Sequence, residues 1–278
     1  MQAMRYGARE STMNTITLKQ GEQQYTASVS AGHDISIALT FTPPQLQSFG
    51  AVAAHAEPLV AGTFIGDVNR GGSCNCSTYH LTPHCNGTHT ESVGHITREF
   101  FPVNAIAPAA LLLAELISVI PIMTATTFAP DDRIITRELL QAQLANRAVS
   151  STALLVRTLP NDDSKLTLNY DAAPCPAYFH SDALAWLATI GIEHLLVDTP
   201  SVDRMSDGGL LLAHRTFWGM PAGATNVQQA MRPQATITEL IYVANNIVDG
   251  RYLLNLQIAP FASDAAPSRP MLYPLLNT

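Results

Sequence analysis

The stretch from Ala153 to Asp198 limits what this chain can fold into more than any other part of it. Ala153 to Thr158 reads as a short apolar strand. Ser181 then offers an N-cap, because its hydroxyl can accept from the free backbone donors that begin a helix over Asp182 to Ile190, and Gly191 is the matching stop. Ile192 to Val197 returns as an apolar strand that ends at Asp198. A strand, helix, strand rhythm whose second strand is apolar predicts a buried crossover. The alternating stretches Tyr25 to Val29 and Asp34 to Leu39 predict half-buried strands elsewhere. The fold class expected is therefore α/β, a mixed β-sheet with flanking helices rather than a doubly wound sheet.

The chain has 278 residues, of which 47% are apolar and only 13% charged, enough hydrocarbon for one large core and too little charge for a disordered chain. One domain over residues 26–278 is expected, after a flexible N-terminal leader over residues 1–25. The first twelve residues lack the apolar core of a secretory signal. The longest apolar run, Ala105 to Ile122, is broken by Glu115, Pro108 and Pro121 and falls short of a bilayer span, so a buried helix is expected there, with Pro108 to Val119 as its body. A second helix is expected over Arg137 to Arg147. Met205 to Arg232, rich in Gly and Pro, reads as a loop-like insertion before the apolar stretch Ile237 to Ala244. A net charge of -7 with no Lys/Arg-rich run argues against nucleic acid as a partner, and no segment suggests a membrane. Cys74, Cys76, Cys85 and Cys175 are expected as reduced thiols in a cytoplasmic protein.

Chemistry concentrates between Pro83 and His95. The run Pro83-His84-Cys85-Asn86-Gly87-Thr88-His89-Thr90-Glu91-Ser92-Val93-Gly94-His95 places three imidazoles, a carboxylate and a thiol within twelve positions, and these are the ligand types that hold zinc, manganese or iron. If the chain after Gly87 is extended, His89 and Glu91 lie on one face of a strand. Gly87 and Gly94 allow the backbone to bend or approach closely on either side. Spacing alone leaves a metal site and a chance cluster of histidines both open.

The segment Asn86 to His95 resembles the signature H-x-G-T-H-x-D-x-P-x-H of the cyclase family, which includes bacterial kynurenine formamidase and isatin hydrolase. Further blocks follow in the family's order. Asp34-Ile35-Ser36 stands where the family begins with Asp-Leu-Ser, and Tyr178 to Asp203 ends in Asp198-Thr199-Pro200-Ser201-Val202-Asp203 with His214 after it. Ile237-Thr238-Glu239-Leu240 resembles the late Glu-x-Leu segment. The resemblance implies a cyclase-like domain of the swivelling β/β/α type. It implies a divalent metal, zinc first and manganese second, as one or two ions held at His84, His89, Glu91, His214 and Glu239. It also implies that His95 is the acid and base of a hydrolysis, of the arylformamidase kind that acts on carbon–nitrogen bonds other than peptide bonds. A small-molecule substrate and a homodimer or homotetramer are expected with it. Alternatives are a metal-binding relative with altered catalysis, and a cyclase or dehydratase on the same fold.

Three departures from the signature bear on the site. The place of the family's first histidine is Cys85, with His84 one residue earlier. A one-residue bulge that re-aims His84 is the reading taken here, and a Cys85 thiolate is its alternative. Glu91 replaces Asp, and Val93 replaces Pro. His33, His55, His80, His180 and His194 are expected at the surface or in ordinary packing, Asp198 and Asp203 as turn formers, Trp186 in the core and Trp218 at the wall of the site.

Overall fold

The computed structural model describes residues 14–106, 108–145 and 151–276. Its centre is one sheet of eight strands, β1 (His33–Asp34), β2 (His89–Glu91), β3 (Leu112–Val119), β4 (Ala153–Thr158), β5 (His194–Val197), β6 (Thr236–Glu239), β7 (Gly250–Ile258) and β8 (Ala265–Pro274). The strands run in the order β7-β3-β4-β5-β6-β2-β8-β1, and β7 also pairs with β8, so the sheet closes on itself as a barrel. From β3 to β6 the neighbours are parallel, and the remaining pairings are antiparallel. The mixed α/β class expected from the sequence is the one observed, with closure into a barrel in addition.

Alternate residues of these strands face opposite ways and build two cores. Leu112, Ala114, Leu116, Leu155, Leu196, Leu254 and Leu272 fill the interior of the barrel. Ile117, Val119, Leu154, Val156, Leu195, Val197 and Ile237 face outward against the helices α2 (Arg137–Leu144), α3 (Ser181–Thr189) and α4 (Leu212–Trp218), preceded in the chain by the single turn α1 (Pro83–Asn86).

Several expectations are corrected here. Pro108 to Val119 is not a helix: its described body is strand β3, with six of its first seven residues buried. A parallel strand covered on both faces reads as an unbroken apolar run, which periodicity cannot separate from a buried helix. The helix predicted over Arg137 to Arg147 is observed as Arg137–Leu144, and Arg147 lies outside the described residues. Helix α3 begins one residue before its expected start, because His180, held extended by the Ile135 carbonyl, takes the cap position and its Nδ1 accepts from Asp182 N at 3.4 Å. Gly191, at φ 84°, does stop that helix.

The boundary expected at residue 25 falls inside a hairpin, Thr15–Gln20 with Gln23–Ser28, whose Leu18, Tyr25 and Ala27 cover Leu113 and Leu253 on the outside of the barrel. Asp34 to Leu39 keeps the predicted alternation, with Ile35 and Ile37 buried, but only His33–Asp34 joins the sheet. The Gly-rich stretch after Met205 contains α4. Trp218 is fully buried, bonds Ala235 O and lies against the His214 ring, while Trp186 is only partly buried and packs against the outer core.

Candidate metal centre

Strands β2 and β6 lie side by side with His89 opposite Glu239 and Glu91 opposite Ile237, so all four side chains share the outer, helix-bearing face. Thr90 and Thr238 turn into the barrel, where their hydroxyls bond at 2.8 Å. Helix α4 packs over the outer face and supplies His214. Its Nε2 lies 2.8 Å from Glu91 Oε1 and 3.6 Å from Glu239 Oε1, while His89 Nε2 lies 3.4 Å from Glu239 Oε2. The helical turn α1 delivers His84, whose Nδ1 is 3.2 Å from Glu91 Oε2. Residues 84, 89, 91, 214 and 239, scattered along the chain, are thus brought together.

Backbone details aim these groups. Leu240, directly after Glu239, has φ 57°, a conformation rare for a branched side chain, and it is held by a bond from its N–H to Thr199 O and by the Thr88 hydroxyl on its carbonyl. Glu239 Oε1 also accepts from Val202 N at 2.8 Å. Gly94 is needed for close approach, since a Cβ there would stand 2.4 Å from the Phe101 carbonyl oxygen.

Each inner imidazole is fixed in the form that offers its other nitrogen. His89 Nδ1–H donates to Gly87 O at 3.0 Å, and His214 Nδ1–H donates to Asp203 Oδ2 at 2.6 Å, which leaves both Nε2 atoms pointing at the carboxylates. Asp203 also accepts from the N–H groups of Ala213 and His214, so it caps α4 and orients its histidine. This corrects its reading as a mere turn former. Asp198 likewise does more than form a turn, since it is buried and takes bonds from Thr158 and Lys165.

His84, and not Cys85, stands beside Glu91, and for a reason other than a bulge. Adjacent residues on a helical turn point about 100° apart, so while His84 faces Glu91, Cys85 turns toward Ser48, and burial pushes its thiol up. Among the described residues two groups could hold an ion, His89 with Glu91 and Glu239, and His84 with Glu91 and His95; Glu91 belongs to both, and Cys85 to neither. His95 stands at the rim, 28% exposed, with Nδ1 at 3.8 Å from Glu91 Oε2 and 3.5 Å from Asp264 Oδ2.

Asp264 was invisible in the sequence. It lies 180 positions after His84, in the connection between β7 and β8, and its Oδ2 accepts from His84 Nε2 at 2.9 Å. His80 stays outside the site, exposed and stacked on His55.

Charge is densely arranged here. Burial works against ionisation of Glu91, but His95 and His214 beside it outweigh that and hold its carboxyl well below the usual range. Burial would push His84 down, yet its bonds to Asp264 and Glu91 hold it up at about 10. His214 is held well above its ordinary value, burial again opposing and Glu91 and Asp203 prevailing. The cluster therefore attracts positive charge. His89 Nε2, both carboxylate oxygens of Glu91 and His214 Nε2 are buried and crowd one another as close ion pairs without hydrogen bonds of good geometry. Buried polar atoms are costly in that state, and a divalent cation among them is what their chemistry fits.

The family model described as "Putative cyclase" matches residues 15–204, which include His84 to His95 and stop short of His214 and Glu239. A search of curated proteins returns no match. Among solved structures, isatin hydrolase A from Ralstonia solanacearum superposes with a TM-score of 0.59 at 15% identity, covering 87% of this chain and 91% of its own. A structure described as a potential metal-dependent hydrolase with cyclase activity gives a TM-score of 0.55 at 15% identity, covering 87% of this chain and 98% of its own. A predicted metal-dependent hydrolase from Bacillus stearothermophilus gives 0.53 at 15% identity, with 87% and 97% covered. At such identity these likenesses speak for the fold.

Proposed function

Because this chain belongs to the cyclase family, we propose that it is a metal-dependent hydrolase that cleaves an amide, lactam or related carbonyl bond of a small molecule. The carrying observation is the convergence of four buried ligand atoms, on His89, Glu91 and His214, that meet one another as close ion pairs without well-formed hydrogen bonds. His84, His89, Glu91, His214 and Glu239 would hold the ion or ions, and a set of imidazoles and carboxylates suits zinc, with manganese next. When bound, such an ion supplies Lewis acidity toward a carbonyl oxygen and makes a water nucleophile available at neutral pH.

The chain's own residues do the rest. Asp203 and the Gly87 carbonyl hold two imidazoles in the ligating tautomer. His95, at the rim of a cleft of about 590 Å³ that His84, His214 and Glu239 also line, is the group placed to take a proton from water and return it to a leaving nitrogen or oxygen. The Asp264 carboxylate faces His95 Nδ1, which leaves Nε2 for that exchange. The substrate's bond is of the carbon–nitrogen class outside peptides, and the protein assembles as a homodimer or homotetramer.

One observation favours a second reading of His95. It shares with His84 and Glu91 a geometry able to bind an ion. The two roles separate by stoichiometry: with His95 as acid and base, His95→Ala keeps the wild-type metal content and loses turnover, whereas with His95 as a ligand one ion per chain disappears. The test of the function as a whole is elemental analysis of the reconstituted protein beside His89→Ala, with product analysis on a formanilide and a lactam. Wild type should carry stoichiometric divalent metal and release a carboxylic acid, and His89→Ala should lose both. Wild-type protein that retains no divalent metal defeats the proposal.

A further inference from the structure

His84 and His95, the two partly exposed imidazoles of the candidate centre, share a carboxylate that belongs to neither of its ligand groups. Asp264 Oδ2 accepts from His84 Nε2 at 2.9 Å and faces His95 Nδ1 at 3.5 Å, and the two rings stand 4.4 Å apart, centre to centre. Glu91 meanwhile divides its oxygens. Its Oε1 faces His214 Nε2, deep in the protein, and its Oε2 faces His84 Nδ1 and His95 Nδ1, at 3.2 and 3.8 Å. The candidate centre thus has an inner half, built on His89, His214 and Glu239, and an outer half, built on His84 and His95, with Glu91 between them and Asp264 touching only the outer one.

Although its side chain is 42% exposed, Asp264 is held at a fixed station. Its carbonyl accepts from Ser92 N at 2.9 Å, one residue beyond Glu91, and the next residue, Ala265, pairs with Glu91 itself in the ladder between β8 and β2. On its other side the Ser263 carbonyl accepts from Val103 N at 2.7 Å. The inner imidazoles each have one acceptor that sets the ring, Gly87 O for His89 and Asp203 for His214. Among the described residues Asp264 alone does this for His84. With the Nε2–H of His84 committed to Asp264, Nδ1 is the nitrogen left to offer a lone pair beside Glu91.

We propose that Asp264 is the positioning residue of the outer half: it turns His84 so that Nδ1 faces an ion shared with Glu91, and thereby sets the affinity of a second ion independently of the first. The inference rests on the metal-dependent reading above and adds a residue that holds no ion itself. A carboxylate that only braced the hairpin between β7 and β8 would affect both halves alike, because β8 and β6 flank the same strand β2. A carboxylate that orders His84 affects one.

Zinc alone is the probe. Its binding to wild type, Asp264→Ala and Asp264→Asn is measured by competition with a chromophoric chelator, with elemental analysis for the number of ions and circular dichroism for the fold. Wild type should take up two ions per chain. Asp264→Ala should weaken one of them about 10- to 100-fold and leave the other within about twofold, and Asp264→Asn, which keeps an acceptor oxygen, should recover most of that loss. Long-range proton–nitrogen spectra of the zinc-loaded protein, labelled at histidine, should show His84 protonated at Nε2 and bound to metal through Nδ1, a signature that Asp264→Ala loses. If that variant does not fold, the wild-type spectrum decides. Unchanged affinity for both ions, an equal loss at both, or His84 bound through Nε2 overturns the role of Asp264 and leaves the hydrolase reading standing. Wild type that takes up one ion only overturns it as well, whereas wild type that takes up none defeats the hydrolase reading itself.

Discussion

At the scale of single residues, the proposed metal centre depends on groups outside its candidate ligand set. Asp203 is the clearest case, since one carboxylate both caps α4 and orders the His214 ring. Asp203→Asn should weaken zinc binding about 10- to 100-fold while far-UV circular dichroism stays unchanged, as competition with a chelator would show. An affinity within twofold of wild type would mean that the ring is oriented by something else. His194 makes a separate prediction. It is buried beside Thr236, and burial, with Arg232 adding to it, lowers its pKa from 6.5 to about 4. The unfolded chain takes up this proton near pH 6.5 and the folded chain only near pH 4. Stability conferred by the neutral ring is therefore whole above 6.5 and falls through the window down to 4, by about 3 kcal/mol in all. His194→Gln should flatten that part of a denaturation profile; an unchanged slope would refute the assignment. His84 to His95 announced themselves in the sequence because their types and spacing are unusual. Asp203 and Asp264 did not, since an acid in a turn looks the same whether or not a distant imidazole arrives beside it.

Among the elements, what could be read in advance was what local chemistry dictates. Strand β4, helix α3 with its Gly191 stop, and strand β5 follow from apolar runs and punctuation. Strand β3 was misread because both its faces are covered, and α4 because a seven-residue helix between glycines leaves little periodic pattern. The ladder between β4 and the chain after β6 is tied by Arg157, whose Nη1 bonds Ala244 O and Ile247 O at 2.9 and 3.0 Å and whose Nη2 meets Asp249 at 2.9 Å. Arg157→Leu strands these acceptors in a buried setting and should cost about 3–5 kcal/mol, measurable by urea denaturation. A loss below about 1 kcal/mol would show that water replaces the guanidinium. In the same way Thr88→Val removes the hydroxyl that joins Ile37 N to the Leu240 carbonyl, and should lower Tm by loosening the turn that aims Glu239.

For the whole molecule, closure of the sheet could not be foreseen, because it depends on β7 meeting both β3 and β8, contacts more than a hundred residues apart in one direction and a single hairpin in the other. Closure also decides how the candidate metal ligands are held. Strand β2 is bonded on both flanks, to β6 on one side and β8 on the other, and two of its three residues are ligand candidates. Amide hydrogens of so enclosed a strand exchange only when the barrel itself comes apart. Stripping the ion with a chelator should accordingly leave deuterium uptake across His89 to Glu91 almost as slow as before. The protein would then keep a finished socket through metal starvation, ready to refill in a single encounter, with no part of its folding made to wait for the ion.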